Sequence, residues 1–131
     1  MKSSNITQIA DWKMEKHVPV IEVPKSIKAG EKFTVQVSVG KKNVHPNTTK
    51  HHICWIRLYF KPNAGKFAFD MGLVEFAVNG ETDKGHHKGL EDSESSGQII
   101  LKLNSSGTLV AMAYCNIHGL WEYAKPIKVE V

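Results

Sequence analysis

No apolar run in the sequence approaches the ~20 residues that a membrane-spanning helix needs, which argues against a helical membrane protein. The first residues, MKSSNITQIADW, lack the continuous apolar segment of a secretory signal, so we expect a cytoplasmic protein. Only two cysteines occur, Cys54 and Cys115, and we expect both to be free thiols. A chain of this size needs no disulfide, and thiols stay reduced in the cytosol.

Arginine is nearly absent, because the chain has sixteen lysines and a single arginine, Arg57. Proteins that bind nucleic acid usually cluster arginines, whereas the basic residues here are scattered, so a nucleic-acid partner is not expected. The net charge of +4 still favours the approach of a small anion. With 131 residues, of which 41% are hydrophobic and 23% charged, the chain has room for one compact globular domain over residues 1–131.

No segment repeats apolar residues every 3.6 positions, and the apolar pattern is that of β-strands. Residues 32–39 alternate polar and apolar side chains, as expected of a strand with one face in solvent. Residues 52–60 and 109–115 are apolar on both faces, which predicts central strands covered on both sides. Since turn residues separate these runs, the sequence predicts an all-β sandwich of about seven strands. Two more alternating runs lie towards the C-terminus: Ile99, Leu101 and Leu103, followed by Ile127, Val129 and Val131.

Two stretches interrupt the regular strand pattern. Between residues 67 and 78 the apolar positions change from odd to even beside Gly72, which predicts a β-bulge or a corner. Residues 79–97 contain one large apolar residue, Leu90, and predict a mobile surface loop. His86 and His87 fall in this loop and are interpreted as solvated side chains or as a surface metal trap.

Seven histidines are many for so short a chain, and four of them flank the ends of predicted strands. His17 lies just before the first apolar run, and His45 and His51 flank the turn in HPNTTKHH. Cys115 closes a buried strand, and His118 follows three residues later in CNIHG. A thiolate and an imidazole at this spacing can bind the same ion, because the turn changes the direction of the chain.

Each of these residues also has a purely structural interpretation. A lone Cys-x-x-His pair is weak evidence for a metal, because a buried cysteine is often just a small apolar residue. His52 follows His51 and points to the opposite face of the predicted strand, so only one of the two reaches a shared centre. Cys54 shares its strand face with three large apolar residues, which predicts packing in the core rather than ligation. The metal hypothesis therefore depends on the combination of residues.

If the loops meet, four imidazoles and one thiolate converge on one centre. Structural zinc sites close at four ligands, so zinc is disfavoured. A blue-copper site expects two histidines, one cysteine and usually a later methionine; no methionine follows Met112, which weakens this interpretation but leaves it open. Five ligands leave one position of a six-coordinate ion vacant, which suits a redox-active iron that binds a small substrate.

Three segments carry a resemblance to a known family: EKHVPV (residues 15–20), HPNTTKHHI (45–53) and YCNIHGLW (114–121). They resemble the metal-site segments of the superoxide reductases, also called neelaredoxins and, in longer form, desulfoferrodoxins. The longer members carry an N-terminal rubredoxin-like domain with a four-cysteine iron site. This sequence has no cysteine before Cys54 and resembles the one-iron class. The fold implied is an immunoglobulin-like sandwich of seven strands with the metal site on loops at one end.

The resemblance also implies a cofactor and a reaction. It implies one iron ion per chain, cycling between Fe2+ and Fe3+, with four equatorial histidines and Cys115 as the axial thiolate. Glu15 matches a glutamate on a mobile loop that caps the sixth position of ferric iron, and Lys16 matches a lysine whose ammonium lies near that position. The implied activity is reduction of superoxide to hydrogen peroxide, with rubredoxin or a similar small electron donor as partner, and homotetramers occur in the family. The equatorial ligands would be His17, His45, His51 and His118.

Two other classes of function stay open from the residues alone. One is an electron-transfer metalloprotein, cupredoxin-like or with iron, that does no superoxide chemistry. The other is a metal-free sandwich that acts as a binding module. If the chain is a superoxide reductase, Lys41, Lys42 and Lys50 near the His45 turn are expected to attract an acidic donor protein.

Overall fold

The computed structural model describes residues 1–85 and 91–131, and this part of the chain consists mainly of β-strands and their connections. A short 3-10 helix, Ser3–Asn5, precedes the first strand. The described residues include no helix with the length and apolar character needed to cross a membrane. The strands are β1 (Thr7–Gln8), β2 (Pro19–Glu22), β3 (Phe33–Val39), β4 (Ile53–Pro62), β5 (Phe69–Glu75), β6 (Ser96–Leu101), β7 (Gly107–Cys115) and β8 (Gly119–Ile127).

These strands form two sheets. One sheet has five strands in the order β1-β8-β7-β4-β5, and the other has three in the order β2-β3-β6. All neighbouring strands are antiparallel except β1, which runs parallel to β8. The predicted all-β sandwich is therefore confirmed. The strand count exceeds seven because of β1, whose two residues are too few to leave a pattern in the sequence.

The hydrophobic core lies between the two sheets. Val35 and Val37 of β3 face it from the three-stranded sheet, and Ile56, Leu58 and Leu109 face it from the five-stranded sheet, each 0% exposed. Full burial of one such side chain contributes about 1.5–3 kcal/mol to stability. The alternation that predicted β3 is confirmed over residues 34–37, where the polar side chains are exposed and the valines are buried. Ser38 is an exception, because it is polar but only 8% exposed.

The prediction that the central strands β4 and β7 are covered on both faces was wrong. Burial alternates along both strands, so that only one face of each packs in the core. On the outer face Trp55 and Tyr114 are half-buried, and their rings stack at a centroid distance of 5.7 Å. Among the described residues no further strand or helix packs over this face, and the large side chains cover one another instead.

A bulge at the start of β4 decides where Cys54 lies. Opposite β7 the register shifts between Ile53 and Trp55, and Ile53 takes the buried position with 1% exposure. Cys54 is half-buried and lies outside the core cluster, which corrects the prediction that it packs there. Both cysteines are free thiols, as predicted.

The predicted irregularity beside Gly72 is confirmed as a second bulge. Leu58 of β4 pairs with Gly72, whereas the next residue, Tyr59, pairs with Asp70. Met71 is left without a partner on β4, which moves the apolar side chains of β5 from odd to even positions.

The predicted loop over residues 79–97 is only partly described, and His86 and His87 lie outside the described residues. At its start, Asn79 is 5% exposed and pairs with Asp92 in an isolated bridge. Asn79 itself is therefore buried instead of lying in solvent.

Strand boundaries differ from the prediction at two places. Strand β6 begins at Ser96, so the last two residues of the predicted loop belong to a strand. The predicted C-terminal strand over residues 127–131 is replaced by β8, which ends at Ile127. Beyond it only Glu130 pairs, in one parallel bridge with Lys28.

Candidate metal centre

Five strand termini meet at one end of the sandwich and bring the predicted site residues together. Because the neighbouring strands are antiparallel, the starts of β2, β4 and β8 lie at the same end as the finishes of β3 and β7. His17 precedes β2, while His45 and His51 lie in the connection between β3 and β4. Cys115 is the last residue of β7, and His118 lies in the hairpin loop before β8.

The donor atoms of these five residues form one cluster. The ligating atoms of His17, His45, His51 and Cys115 all lie within 4.8 Å of one another. Nδ1 of His118 lies 3.1 Å from Nε2 of His17, 3.2 Å from Nε2 of His51 and 3.9 Å from Sγ of Cys115. All five residues predicted as ligands therefore occupy one site.

The two sides of the cluster differ in their exposure to solvent. Cys115 is 0% exposed, and His17 and His45 are each 6% exposed. His51 is half-buried and His118 is exposed. The protein therefore encloses the thiol side of the cluster, whereas the side formed by His51 and His118 is open to small solutes.

Hydrogen bonds to the outer nitrogens fix which atom of each imidazole faces the centre. Nδ1–H of His17 donates to Oε1 of Glu15 at 2.7 Å, and Nδ1–H of His45 donates to the carbonyl oxygen of Pro46 at 2.6 Å. Both rings consequently turn Nε2, the unprotonated nitrogen, towards the cluster. Outer partners of this kind orient the histidine ligands of metal sites and make them more basic.

The protonation of the histidines favours metal binding. Burial lowers the pKa of His45 to about 4, and burial together with the nearby His118 lowers the pKa of His51. These imidazoles are therefore neutral near pH 7, which is the form that ligates a metal. The hydrogen bond from His17 lowers the pKa of Glu15, which keeps this side chain a carboxylate.

The hairpin loop between β7 and β8 supports the thiol. The backbone N–H of His118 donates to Sγ of Cys115 at 3.4 Å. This bond stabilises a thiolate, and Nε2 of His45 lies 3.6 Å from the same sulfur. Four imidazole nitrogens and one cysteine sulfur suit a transition metal such as iron, and their number exceeds the four ligands of a structural zinc site.

Glu15 and Lys16, the two residues predicted to lie at the open coordination position, immediately precede His17. The carboxylate of Glu15 lies on the outer nitrogen of His17 and is not one of the clustered donors. Lys16 is half-buried, and its positive charge is one of the smaller causes, after burial, of the lowered pKa of His45 and His51. Lys16 therefore lies within electrostatic range of the cluster.

His52 lies outside the cluster, in agreement with the prediction that it does not ligate. Its Nδ1–H donates to the carbonyl oxygen of Thr48 at 2.7 Å, and its backbone N–H donates to Oδ1 of Asn116 at 2.9 Å. These bonds tie the turn that carries His51 to the hairpin loop that carries His118. The role of His52 is therefore structural.

Sequence reasoning did not assign Trp121 to the site. Its ring stacks on the imidazole of His17 at a centroid distance of 5.1 Å and an interplanar angle of 17°. Trp121 ends the segment YCNIHGLW that carries the family resemblance, but the resemblance gave it no role. Its place on β8 could have been found only from the pairing of β8 with β7, which puts Trp121 opposite Ala113 on the buried face.

Comparison with known proteins identifies the family of the chain. The desulfoferrodoxin family matches residues 9–124 of the chain. The chain is 47% identical to the neelaredoxin of Megalodesulfovibrio gigas over 130 residues, which cover 99% of this chain and 100% of that protein. It is 46% identical to the superoxide reductase of Pyrococcus furiosus, over 91% of this chain and 94% of that one. The reduced form of the superoxide reductase (neelaredoxin) of Archaeoglobus fulgidus superposes with a TM-score of 0.87 at 45% identity, covering 94% of this chain and 98% of that one.

Proposed function

Because the chain belongs to the desulfoferrodoxin family and is a superoxide reductase with one iron ion per chain, we propose that the five clustered side chains hold that iron. The observation that carries this proposal is the convergence of the donor atoms from three separate parts of the chain. Five donors leave one position of a six-coordinate ion for a substrate. The proposed ligands are His17, His45, His51, His118 and Cys115.

The reaction requires an accessible site and a source of electrons. When bound, the iron supplies one electron to superoxide, which takes up two protons and leaves as hydrogen peroxide. No superoxide is oxidised to oxygen, so each turnover consumes one electron, which an external donor must replace. The protein therefore has to admit a small anion and also accept electrons at its surface.

We assign the attraction of superoxide to Lys16. The open side of the cluster, formed by His51 and His118, admits a small anion. An ammonium group beside this opening raises the local concentration of the anion and can donate a hydrogen bond to it. Lys16 supports this role, because its charge is one of the smaller causes of the lowered pKa of His51, which lies on the open side.

Glu15 is proposed to cover the open coordination position of the oxidised site. Its carboxylate accepts hydrogen bonds from both Nδ1–H and the backbone N–H of His17, at 2.7 and 3.2 Å. The proposed role requires the side chain to leave these bonds, since they hold it on the outer edge of the ring. The Glu15 side chain has little distance along the chain to cover in this movement, because only Lys16 separates it from the proposed ligand His17.

The decisive measurement is the amount of hydrogen peroxide formed per superoxide consumed, with a reductant that keeps the site reduced. Superoxide reduction gives one peroxide for each superoxide and consumes one electron. Dismutation gives one peroxide for two superoxides and consumes no reductant. An electron-transfer protein without superoxide chemistry would show a redox-active colour but no peroxide above the spontaneous yield, and this outcome would contradict the proposed function.

A pair of adjacent histidines provides a matched test of the ligand set. His51→Ala removes a proposed ligand, whereas His52→Asn changes an imidazole that lies outside the cluster. We expect the first variant to lose most of its iron and its peroxide yield, and the second to keep both. Metal analysis of protein purified without chelator measures the iron. Equal iron contents in the two variants would contradict the ligand assignment.

We propose that the external electron donor is rubredoxin or a similar small acidic protein. Lys41, Lys42 and Lys50 are exposed near the connection that carries His45 and His51, and a basic surface of this kind attracts an acidic partner. Lys41 forms an ion pair with Glu22 at 2.7 Å, so it contributes less net charge than the other two lysines.

We further propose that the protein assembles as a homotetramer of one-domain chains, residues 1–131, in the cytoplasm. The outer face of the five-stranded sheet, with Trp55 and Tyr114 half-buried, would lie between copies. The cytoplasm would keep the two free thiols reduced. Light scattering on the eluting protein tests the assembly, and a monomer mass would contradict it.

A further inference from the structure

Trp121 contacts two of the clustered histidines, although they come from distant parts of the chain. Its indole ring stacks on His17, with the centroids 5.1 Å apart and the planes 17° from parallel. Its Nε1–H donates to the backbone carbonyl oxygen of His118 at 3.1 Å. One side chain therefore limits the rotation of one imidazole and the movement of the loop that carries the other.

The backbone of Trp121 is itself held on both sides. Within the five-stranded sheet it lies opposite Ala113 of β7 on one side and Gln8 of β1 on the other. A side-chain bond from Thr7 Oγ1 to Glu122 Oε1, 2.5 Å long, adds to the contact between β1 and β8. Trp121 is thus a fixed support, whereas His118 is exposed and lies in a three-residue loop.

The ring of His17 is held from two directions. Glu15 holds its outer edge through Nδ1–H, and Trp121 covers one face. If Glu15 leaves during the reaction, as proposed above, the stacking contact with Trp121 is one that remains. A contact that persists through the cycle keeps Nε2 of His17 directed at the centre.

We propose that Trp121 is a positioning residue that holds His17 and the His118 loop in the geometry that binds iron. This inference rests on the proposed function, because it takes those two histidines as iron ligands. Residues that orient metal ligands without touching the metal typically change metal affinity by about 10–100-fold when they are substituted. Trp121 acts on two ligands at once, so both of its contacts can be tested separately.

Two substitutions separate the contacts. Trp121→Phe keeps an aromatic ring over His17 but removes the donor to His118, whereas Trp121→Ala removes both contacts. Trp55→Phe is the matched control, because Trp55 stacks on Tyr114 on the outer face of the sheet, away from the cluster. Near-UV circular dichroism and urea unfolding of the iron-free proteins report whether each variant is folded.

The readouts are the dissociation constant of Fe2+ under anaerobic conditions and the visible spectrum of the Co2+-substituted proteins, which reports ligand geometry. We expect iron affinity to fall about ten-fold in Trp121→Phe and about a hundred-fold in Trp121→Ala, with a changed Co2+ spectrum in both. Trp55→Phe is expected to match the wild type in both readouts. Should Trp121→Ala fail to fold, Trp121→Phe still decides the question.

Wild-type affinity and an unchanged Co2+ spectrum in the folded Trp121 variants would overturn the inference. That result leaves the proposed function intact, since the wild-type chain would still bind iron and form peroxide. Conversely, a wild-type chain that binds iron but forms no peroxide would refute the proposed function, while the affinities of the variants would still decide the role of Trp121. A wild-type chain without iron affinity would overturn both.

Discussion

Substitution of Gly40 by alanine should damage both the stability of the fold and the iron site. Gly40 follows β3 with a φ of +85°, a conformation that residues with a Cβ rarely adopt. A Cβ at this position would lie 2.8 Å from the backbone nitrogen of His45 and 3.4 Å from Cα of Val44. Since both atoms belong to the backbone, no side-chain rotation relieves the contact, and His45 itself must move.

The size of the effect follows from two separate costs. The left-handed backbone costs a residue with a Cβ about 1–2 kcal/mol, part of which is offset because alanine restricts the unfolded chain by roughly 0.4–1 kcal/mol. Overpacking against the His45 backbone adds about 1–3 kcal/mol. We therefore expect Gly40→Ala to lower the free energy of unfolding by about 2–4 kcal/mol.

Gly30 provides the control for the backbone cost alone. Its φ is +78°, but a Cβ there would meet only Oδ1 of Asn104 at 3.9 Å, an ordinary contact. It precedes β3, whose far end leads to the site, so it lies away from the cluster. Gly30→Ala should accordingly cost about 1 kcal/mol and leave iron binding unchanged.

Urea unfolding of the iron-free proteins measures the stabilities, and anaerobic titration with Fe2+ measures the affinities. Displacement of His45 in Gly40→Ala should weaken iron binding by about ten-fold or more, as loss of ligand orientation does elsewhere. Equal stabilities and equal iron affinities for the two alanine variants would refute the reasoning, because the close contact with His45 is the main difference between the two positions.

Three further predictions concern charge and the metal. Lys16→Met should slow the reaction with superoxide about ten-fold at low ionic strength, and the difference should shrink with added salt in pulse-radiolysis kinetics; an equal rate at every salt concentration would contradict it. Replacing Lys41, Lys42 and Lys50 together by neutral residues should slow reduction of the site by rubredoxin at low salt, and an unchanged rate would remove the docking hypothesis. Removing the iron should lower the midpoint of thermal unfolding by roughly 10 °C relative to protein with metal at a hundred times its dissociation constant, since binding at that excess contributes about 2.7 kcal/mol; coincident calorimetric transitions would contradict it.

The strands that sequence patterns predicted are those with one strictly buried face. In β3, Val35 and Val37 are 0% exposed and Gln36 between them is exposed. Apolar and polar residues therefore alternate in step with buried and exposed positions. The central strands β4 and β7 were located correctly, but their outer face was misjudged. Aromatic side chains such as Trp55 look the same in sequence whether they are buried in a core or stacked on a half-exposed surface.

Strand β8 went unpredicted because its pattern carries no alternation. Its inner face carries a charged residue, Lys125, beside Trp121 and Tyr123. Its opposite face carries an apolar residue, Leu120. Pairing with β7 along its whole length makes this segment a strand, and pairing between distant residues is not visible in local sequence. The same holds for β1, which is defined only by its two contacts with β8.

The residues of the candidate site were easier to predict than the strands, because the chemistry of metal ligation restricts which residue types can belong to such a site. The sequence predicted that His51 rather than His52 reaches the centre; His51 does lie in the cluster, but the stated reason was wrong. Both residues precede β4, so alternation along a strand does not separate them. Instead, the backbones of Thr48 and His51 bond to each other in both directions, and the carbonyl of Thr48 also accepts Nδ1–H of His52. Such bonds within a turn depend on its exact path, which the residue types alone do not specify.

The unequal burial of the cluster suits the proposed function, in which one site binds a metal and also admits a small substrate. Cys115, His17 and His45 are enclosed by the sandwich, and burial lowers the pKa of His45, which favours its neutral, metal-binding form. His51 and His118 come from loops at the surface and leave the opposite side accessible. A substrate of two atoms needs no deep pocket, so the buried ligands can serve to hold the ion. Rigid support of the exposed loop then becomes the remaining structural requirement, and Trp121 on β8 meets it through its bond to the carbonyl of His118.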